Sequence, residues 1–309
     1  MTSLSRPRAA DAAAIHELVA ACDLAVLGRV DTTLDDIADE LAEPGFDPGR
    51  DGWLAHDAGG RLVGWASAYA PGDDDLVQID VYVRPGAESR ADELWGLVLG
   101  RARELGAERG RDRVTVDVGV HRVDEAKRAL AHRHGFGPGT TYHRLRIDHD
   151  GPAAPPAPPP GITLHTGEGD EVRRQAHQVH QAGFADHFGF VPVCYDDWYE
   201  RRQARSTTDW SRLTLARIDG RPAGVVIGND QFVADEGCGY VATLAVLPEF
   251  RGRGLGRFLL LHAFAADADR GRQGTILHVD SHNTTPALDL YLSAGMRTIM
   301  VIDVLRRRL

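Results

Sequence analysis

Apolar positions along the chain follow two rhythms, and the order in which those rhythms alternate occurs twice. From Asp11 to Cys22 the apolar residues fall three and four apart, with Ile15, Leu18, Val19 and Cys22 on one face, which predicts an amphipathic helix. A second short helix is expected over 34–41. Strand-like runs come next at 53–56, 61–69 and 76–83, the first two hinged on Gly59-Gly60. A helix over 89–105, a strand over 114–118, a helix over 125–134 and a strand over 142–147 complete the first half. The second half repeats the sequence of elements. It runs strand 162–165, helices 170–182 and 195–205, strands 213–218 and 223–228 around Asp219-Gly220, strand 240–246, helix 254–267, strand 275–279, helix 286–293 and strand 297–305. Pro286 suits a first helical turn, where a missing N–H loses no partner, and Gly295 suits a helix exit at positive φ. The pattern predicts two copies of one α/β domain with a mixed sheet.

The segment 151–161 holds six prolines in eleven residues, which favours a semi-rigid polyproline spacer. The expected organisation is therefore a domain over 1–150, a proline-rich linker over 151–161 and a domain over 162–309. The chain has 309 residues, enough for two cores of ordinary size. At 43% hydrophobic and 26% charged it reads as a globular protein. No apolar run reaches the length of a membrane span and the first residues carry no apolar export core, so a cytoplasmic location and no membrane partner are expected. The net charge of −10 disfavours nucleic acid as a partner, because Arg201-Arg202 and Arg306-Arg307-Arg308 are too short to offset it. It mildly favours cationic small molecules through steering. Cys22, Cys194 and Cys238 are odd in number and far apart, which fits neither a disulfide framework nor a metal site, so no metal is expected.

One stretch carries chemistry. In Thr243-Leu244-Ala245-Val246-Leu247-Pro248-Glu249-Phe250-Arg251-Gly252-Arg253-Gly254-Leu255-Gly256-Arg257 a strand ends, a proline turns the chain and a glycine-rich loop opens a helix. Backbone N–H groups converge there, and the helix dipole adds about half a positive charge. Gly254 and Gly256 let a phosphate approach the backbone, and Arg251, Arg253 and Arg257 surround it with charge. The reading is a pyrophosphate cradle. No Gly-Lys-Ser/Thr comes after it, and Leu259 takes the third glycine position of a dinucleotide fingerprint, so both of those motifs fail.

Arg251-Gly252-Arg253-Gly254-Leu255-Gly256 resembles the Arg/Gln-x-x-Gly-x-Gly/Ala motif of the GNAT N-acetyltransferase superfamily, whose loop holds the pyrophosphate of acetyl-coenzyme A. The run from Val279 to Met296, through Asn283, Ala287, Tyr291 and Gly295, resembles the second signature of that superfamily. The resemblance implies two tandem GNAT-like acyl-CoA N-acyltransferase domains, with acetyl-CoA as acyl donor. It implies that Asn283 bonds the pantetheine arm, that Ala287 adjoins it, and that Tyr291 lies near the sulfur. In the superfamily the strand before the loop bulges and splays from its neighbour to admit that arm.

The chemistry then sets requirements. An amine attacks the thioester carbonyl, and the oxyanion needs a donor such as a backbone N–H of Leu244, Ala245 or Val246. The leaving thiolate needs a proton, for which the Tyr291 phenol is the candidate acid. A base must relieve the amine. His278, which shares a strand face with Asp280, His187 in the loop after Asp186, and Glu236 are candidates, and a water chain to solvent is another. Asp186, His187, Tyr240, His278 and Asp280 are the candidate acceptor-binding residues. The first half lacks these parts. Aligning Pro85 with Pro248 puts Glu88 at Arg251, Ala91 at Gly254 and Glu93 at Gly256, so carboxylates face the phosphate position. The first copy is expected to keep the fold without the catalysis. Within the superfamily the layout resembles the mycothiol synthases, but their strand carboxylate aligns with Tyr240 here. The expected function is acetyl transfer from acetyl-CoA to a small-molecule primary amine in the second domain. The mycothiol synthase reaction on a cysteinyl-inositol-sugar amine, and a non-catalytic acyl-CoA sensor, are the alternatives. Monomer and homodimer both stay open.

Overall fold

A computed structural model of the chain describes residues 3–281 and 286–309. Twelve strands and ten helices are described. In chain order they are β1 Ser3–Ser5, α1 Ala12–Leu27, α2 Leu34–Leu41, α3 Pro48–Asp51, β2 Gly52–His56, β3 Leu62–Tyr69, β4 Leu76–Val83, α4 Ala91–Glu108, β5 Thr115–His121, α5 Glu125–Arg133 and β6 Gly137–Asp148. Next come β7 Ile162–Thr166, α6 Asp170–Phe184, α7 Tyr195–Ala204, β8 Leu213–Ile218, β9 Arg221–Asn229, α8 Val233–Glu236, β10 Cys238–Val246, α9 Leu255–Asp269, β11 Gly274–Asp280, α10 Ala287–Ser293 and β12 Arg297–Arg308. The doubled α/β order is the one the apolar periodicity predicts. Edge strand β1 and the one-turn helices α3 and α8 are too short to leave a periodic signal.

The chain divides into two compact units, one of Met1–Thr140 with Ala204–Ser206 and Ile302–Leu309, the other of Thr141–Gln203 with Thr207–Val301. In the first unit the strands run β1-β2-β3-β4-β5, and Ile302–Arg308 of β12 pairs antiparallel with β5. Helix α4 covers one face with Leu94, Trp95, Val98, Ala102 and Leu105, a spacing of three and four that points all five inward. In the second unit the order is β6-β11-β10-β9-β8-β7. Here α9 buries Leu255, Phe258 and Leu259 against Val241, Leu277, Val279 and Leu145. The other face carries α6 and α7, with Ala176, Val179 and Trp198 against Leu213, Val225 and Ala245. Each large side chain so buried stabilises its unit by about 1.5–3 kcal/mol.

The units do not follow the halves 1–150 and 162–309. β6 lies ahead of the proline-rich segment, yet it pairs with β11 from Gly274↔Asp148 to Asp280↔Tyr142 and contributes fully buried Leu145 to the second core. β12 makes the reciprocal contribution to the first unit. Register against a free strand edge, not position along the chain, decides which sheet a strand completes. Residues 152–159 form neither helix nor strand.

Candidate active site

The site of the second unit arises from a break in strand pairing. β10 and β11 run parallel and pair only from Cys238↔Gly274 to Val241↔Leu277. β10 stays paired with β9 out to Val246↔Gly224, with its register shifted between Val241 and Thr243. β11 stays paired with β6 out to Asp280↔Tyr142. A bulge bends and twists the strand that carries it, so past Ala242 the two strands part. The gap is a cleft of about 530 Å³ lined on one side by Ala242, Leu244, Ala245 and Val246 and on the other by His278, Val279 and Asp280. Every other N–H of 242–246 turns away from β9 and towards this gap, which supplies the donors an oxyanion requires.

At one mouth of the cleft lie Arg251, Gly252, Gly254, Leu255, Gly256 and Arg257. Gly252 (φ 72°) and Gly254 (φ 79°) are left-handed, a conformation that glycine adopts without steric cost. Gly254 caps α9, whose first internal bond runs from the Phe258 N–H to the Gly254 carbonyl at 3.0 Å. The N–H groups of Leu255, Gly256 and Arg257 thus have no acceptor within the helix and are available to an anion. Arg251 donates from Nε to the Val246 carbonyl at 3.0 Å and clasps the loop to β10. Arg257 donates to Ser293 Oγ at 3.1 Å and ties α9 to α10. Arg253 does not line the cleft; its guanidinium lies 6.0 Å from the Phe250 ring.

Deeper in, Ala287, Leu290 and Tyr291 of α10 form the floor. Tyr291 is buried, and burial raises its phenol pKa, so the hydroxyl keeps its proton at neutral pH. That hydroxyl makes no hydrogen bond to a described residue, which leaves its proton available to a leaving thiolate. Asn283 lies outside the described residues.

Past the gap the cleft meets Tyr142, Phe184, His187, Phe188, Phe190, His278 and Asp280. The His278 ring is held at both nitrogens, by Tyr240 Oη at Nδ1 (3.0 Å) and by Arg144 Nε at Nε2 (3.0 Å). His187 packs its ring 4.2 Å from that of Phe184 and makes no side-chain hydrogen bond to a described residue. Burial lowers its pKa and the nearby Asp280 carboxylate opposes the shift. Behind the aromatic wall His180 packs 5.0 Å from Phe184 and 5.8 Å from Phe190. Burial, with Arg202 adding to it, holds His180 down at about 3.

The expected residues are thus largely, but not wholly, gathered. Leu244, Ala245, Val246, Arg251, Gly252, Gly254, Leu255, Gly256, Arg257, Ala287, Tyr291, His187, His278 and Asp280 share the cleft. Tyr240 reaches it through His278. Asp186 is exposed and does not line it. Glu236 is corrected outright as a base: its carboxylate is bound to Arg146 at 2.7 Å and lies off the cleft. Tyr142 and Arg144 escaped the sequence because they belong to the last strand of the first half. Phe184 and Phe190 escaped because an aromatic wall has no motif.

The counterpart in the first unit is built differently. β4 and β5 pair in parallel up to Ile79↔Val118. The next residue, Asp80, is ion-paired to Lys127 of α5, whose Nζ lies 4.6 Å from the Tyr82 ring centre. In the turn before α4 the Glu88 carboxylate already accepts from the Gly86 N–H at 2.8 Å.

Comparisons with known proteins agree with this geometry. Residues 177–296 match the acetyltransferase (GNAT) family. The mycothiol acetyltransferase of Thermomonospora curvata is 31% identical over 247 residues, 80% of this chain and 78% of that protein. That of Nocardia farcinica is 29% identical over 290 residues, 91% of this chain and 89% of its own. Among solved structures, a GCN5-related N-acetyltransferase from Sphaerobacter thermophilus superposes with a TM-score of 0.80 at 24% identity, covering 99% of this chain and 95% of the other. A tandem GNAT protein from the clavulanic acid biosynthesis pathway superposes with a TM-score of 0.76 at 20% identity, covering 100% and 98%. The fold and cleft define a tandem GNAT protein. The chain belongs to the GNAT acetyltransferase family and is an acyltransferase enzyme, similar to the mycothiol acetyltransferases.

Proposed function

We propose that the second unit transfers an acetyl group from acetyl-CoA to the primary amine of a small molecule by direct attack. The observation that carries this reading is the gap between β10 and β11, which joins the glycine loop at one mouth to a polar chamber at the other. The first-turn N–H groups of α9 take the pyrophosphate. The gap takes the pantetheine arm and sets the thioester carbonyl against the free N–H groups of β10. Tyr291 gives its proton to the departing thiolate. The aromatic wall and Asp280 receive the acceptor, the carboxylate favouring a cationic amine. The first unit acts as scaffold. Its turn before α4 carries the Glu88 carboxylate, turned onto the Gly86 N–H, where the second unit has Arg251, and its Lys127–Asp80 pair follows the last parallel pair of β4 and β5.

The acceptor of the mycothiol acetyltransferases is the second reading, favoured by the 31% identity. Against it stands Tyr240, where the resembling family carries a carboxylate. The test is calorimetric titration of the intact chain with acetyl-CoA, then thiol release with a panel of amines that includes the mycothiol precursor. One site per chain and release with at least one amine are expected. Two equivalent sites refute the assignment to the second unit, and silence across the panel reduces the protein to an acyl-CoA binder.

A further inference from the structure

We propose that Arg144, a residue of β6, decides which histidine of the cleft takes the proton of the acceptor amine: it withdraws His278 and leaves the task to His187. The kinetic part of this inference rests on the acyl-transfer reading above; the part concerning His278 does not.

Antiparallel pairing sets His278 of β11 opposite Arg144 of β6. Arg144 is only 6% exposed, and its guanidinium lies 4.8 Å from the Phe232 ring centre. A guanidinium N–H can donate and cannot accept. His278 Nε2, 3.0 Å from Arg144 Nε, must therefore present a lone pair. The ring hydrogen is then on Nδ1, donated to Tyr240 Oη at 3.0 Å. A second proton on Nε2 would set N–H against N–H and cation against cation in a half-buried place. Among the described residues, Arg144 of β6 meets Nε2 and Tyr240 of β10 meets Nδ1, with Asp280 two residues further along the same strand and Tyr142 two residues from Arg144 on β6. His278 is thus a fixed wall of the acceptor chamber.

His187 has the opposite surroundings. Its ring nitrogens are committed to no described residue, and it lines the same cleft. The charges acting on it are Asp280, Arg251 and Asp186, with burial the largest influence, so it is neutral at pH 7. Asp280 stabilises the imidazolium it forms on receiving a proton. In the balanced step the bound ammonium first passes one proton to His187; the freed amine nitrogen then bonds to the acyl carbon, and the adduct loses its second nitrogen proton to solvent. The C–S bond breaks and the thiolate takes the Tyr291 proton. His187 then releases its proton to solvent and Tyr291 regains one from it.

The whole chain, labelled with 15N at histidine, tests the inference by two-bond 1H–15N correlation between pH 5 and 8. His278 is expected as the Nδ1–H tautomer with shifts that do not move. In Arg144→Gln it should titrate within about a unit of 6.5, and Arg144→Lys should restore the lock in part. In turnover, the acid limb of kcat/KM should lie below 6.5. It should disappear in His187→Gln, with the rate at pH 7 down about a hundredfold or more. In His278→Gln the limb should keep its position, whatever the rate. A wild-type His278 that titrates in this range, or a limb that tracks His278→Gln and ignores His187→Gln, overturns the proposal. If Arg144→Gln does not fold, the wild-type titration and the two histidine variants decide it. If no amine turns over, the acetyl-transfer reading fails while the spectra still judge the lock.

Discussion

At the scale of single residues, the site works because neighbours fix what each group can do with a proton. Tyr291 is buried on α10 with a phenol pushed above its usual pKa, which makes it an acid at neutral pH and never a base. Tyr291→Phe removes the proton and little volume, so acetyl transfer should slow about ten- to a thousandfold. The dissociation constant for acetyl-CoA by calorimetry should change less than about threefold, since a hydroxyl that bonds to no described residue contributes little there. His180 carries a different cost. At pH 7 it is neutral both folded and unfolded. Below about 6.5 the unfolded chain takes up a proton that the folded chain refuses until about 3, so stability falls as pH drops through that window. The loss by pH 4 should be at most about 3 kcal/mol, and His180→Gln should flatten this part of the curve of urea midpoint against pH.

At the scale of elements, one loop and one strand build the site. The β-carbon of Gly256 would lie 3.5 Å from Leu290 and 3.7 Å from Val246, both cleft residues. A side chain at 256 therefore grows into the cleft at the first turn of α9. Gly256→Glu should weaken acetyl-CoA binding at least about thirtyfold by adding bulk and negative charge there, with the melting temperature lowered only a few degrees. β6 sets a second test. A fragment that begins at residue 162 leaves the edge of β11 unpaired and removes Leu145 from the core. It should lose cooperative urea unfolding or aggregate, whereas a fragment that begins at 137 should be the better folded of the two.

At the scale of the whole chain, the two units share an order of elements and differ in what fills it. Each unit keeps a parallel strand pair that ends early, at Ile79↔Val118 in one and Val241↔Leu277 in the other. Beyond that break the two units differ. The first continues with Asp80 ion-paired to Lys127, the second with an open cleft. Reopening the first site should therefore need both Lys127→Ala and Glu88→Arg, and a second acetyl-CoA site should be absent by calorimetry in either single variant.

The doubled order of helices and strands was legible in the sequence because a face that must be buried has to recur at 2.0 or 3.6 residues. The glycine turn that opens α9 was legible too, because a left-handed backbone favours residues without a side chain, and Gly252 and Gly254 are near neighbours in sequence. Which sheet β6 and β12 complete was not legible, since an edge accepts any strand in register and the choice is made between residues far apart. The same holds for the proton chemistry. His278 and Glu236 read as candidate bases, and the sequence did not show that β6 brings Arg144 to the one and Arg146 to the other. The local pattern fixed where the glycine turn and the helix it opens lie. Only the folded chain decided which of the candidate side chains a neighbour holds, because those contacts join residues far apart in sequence.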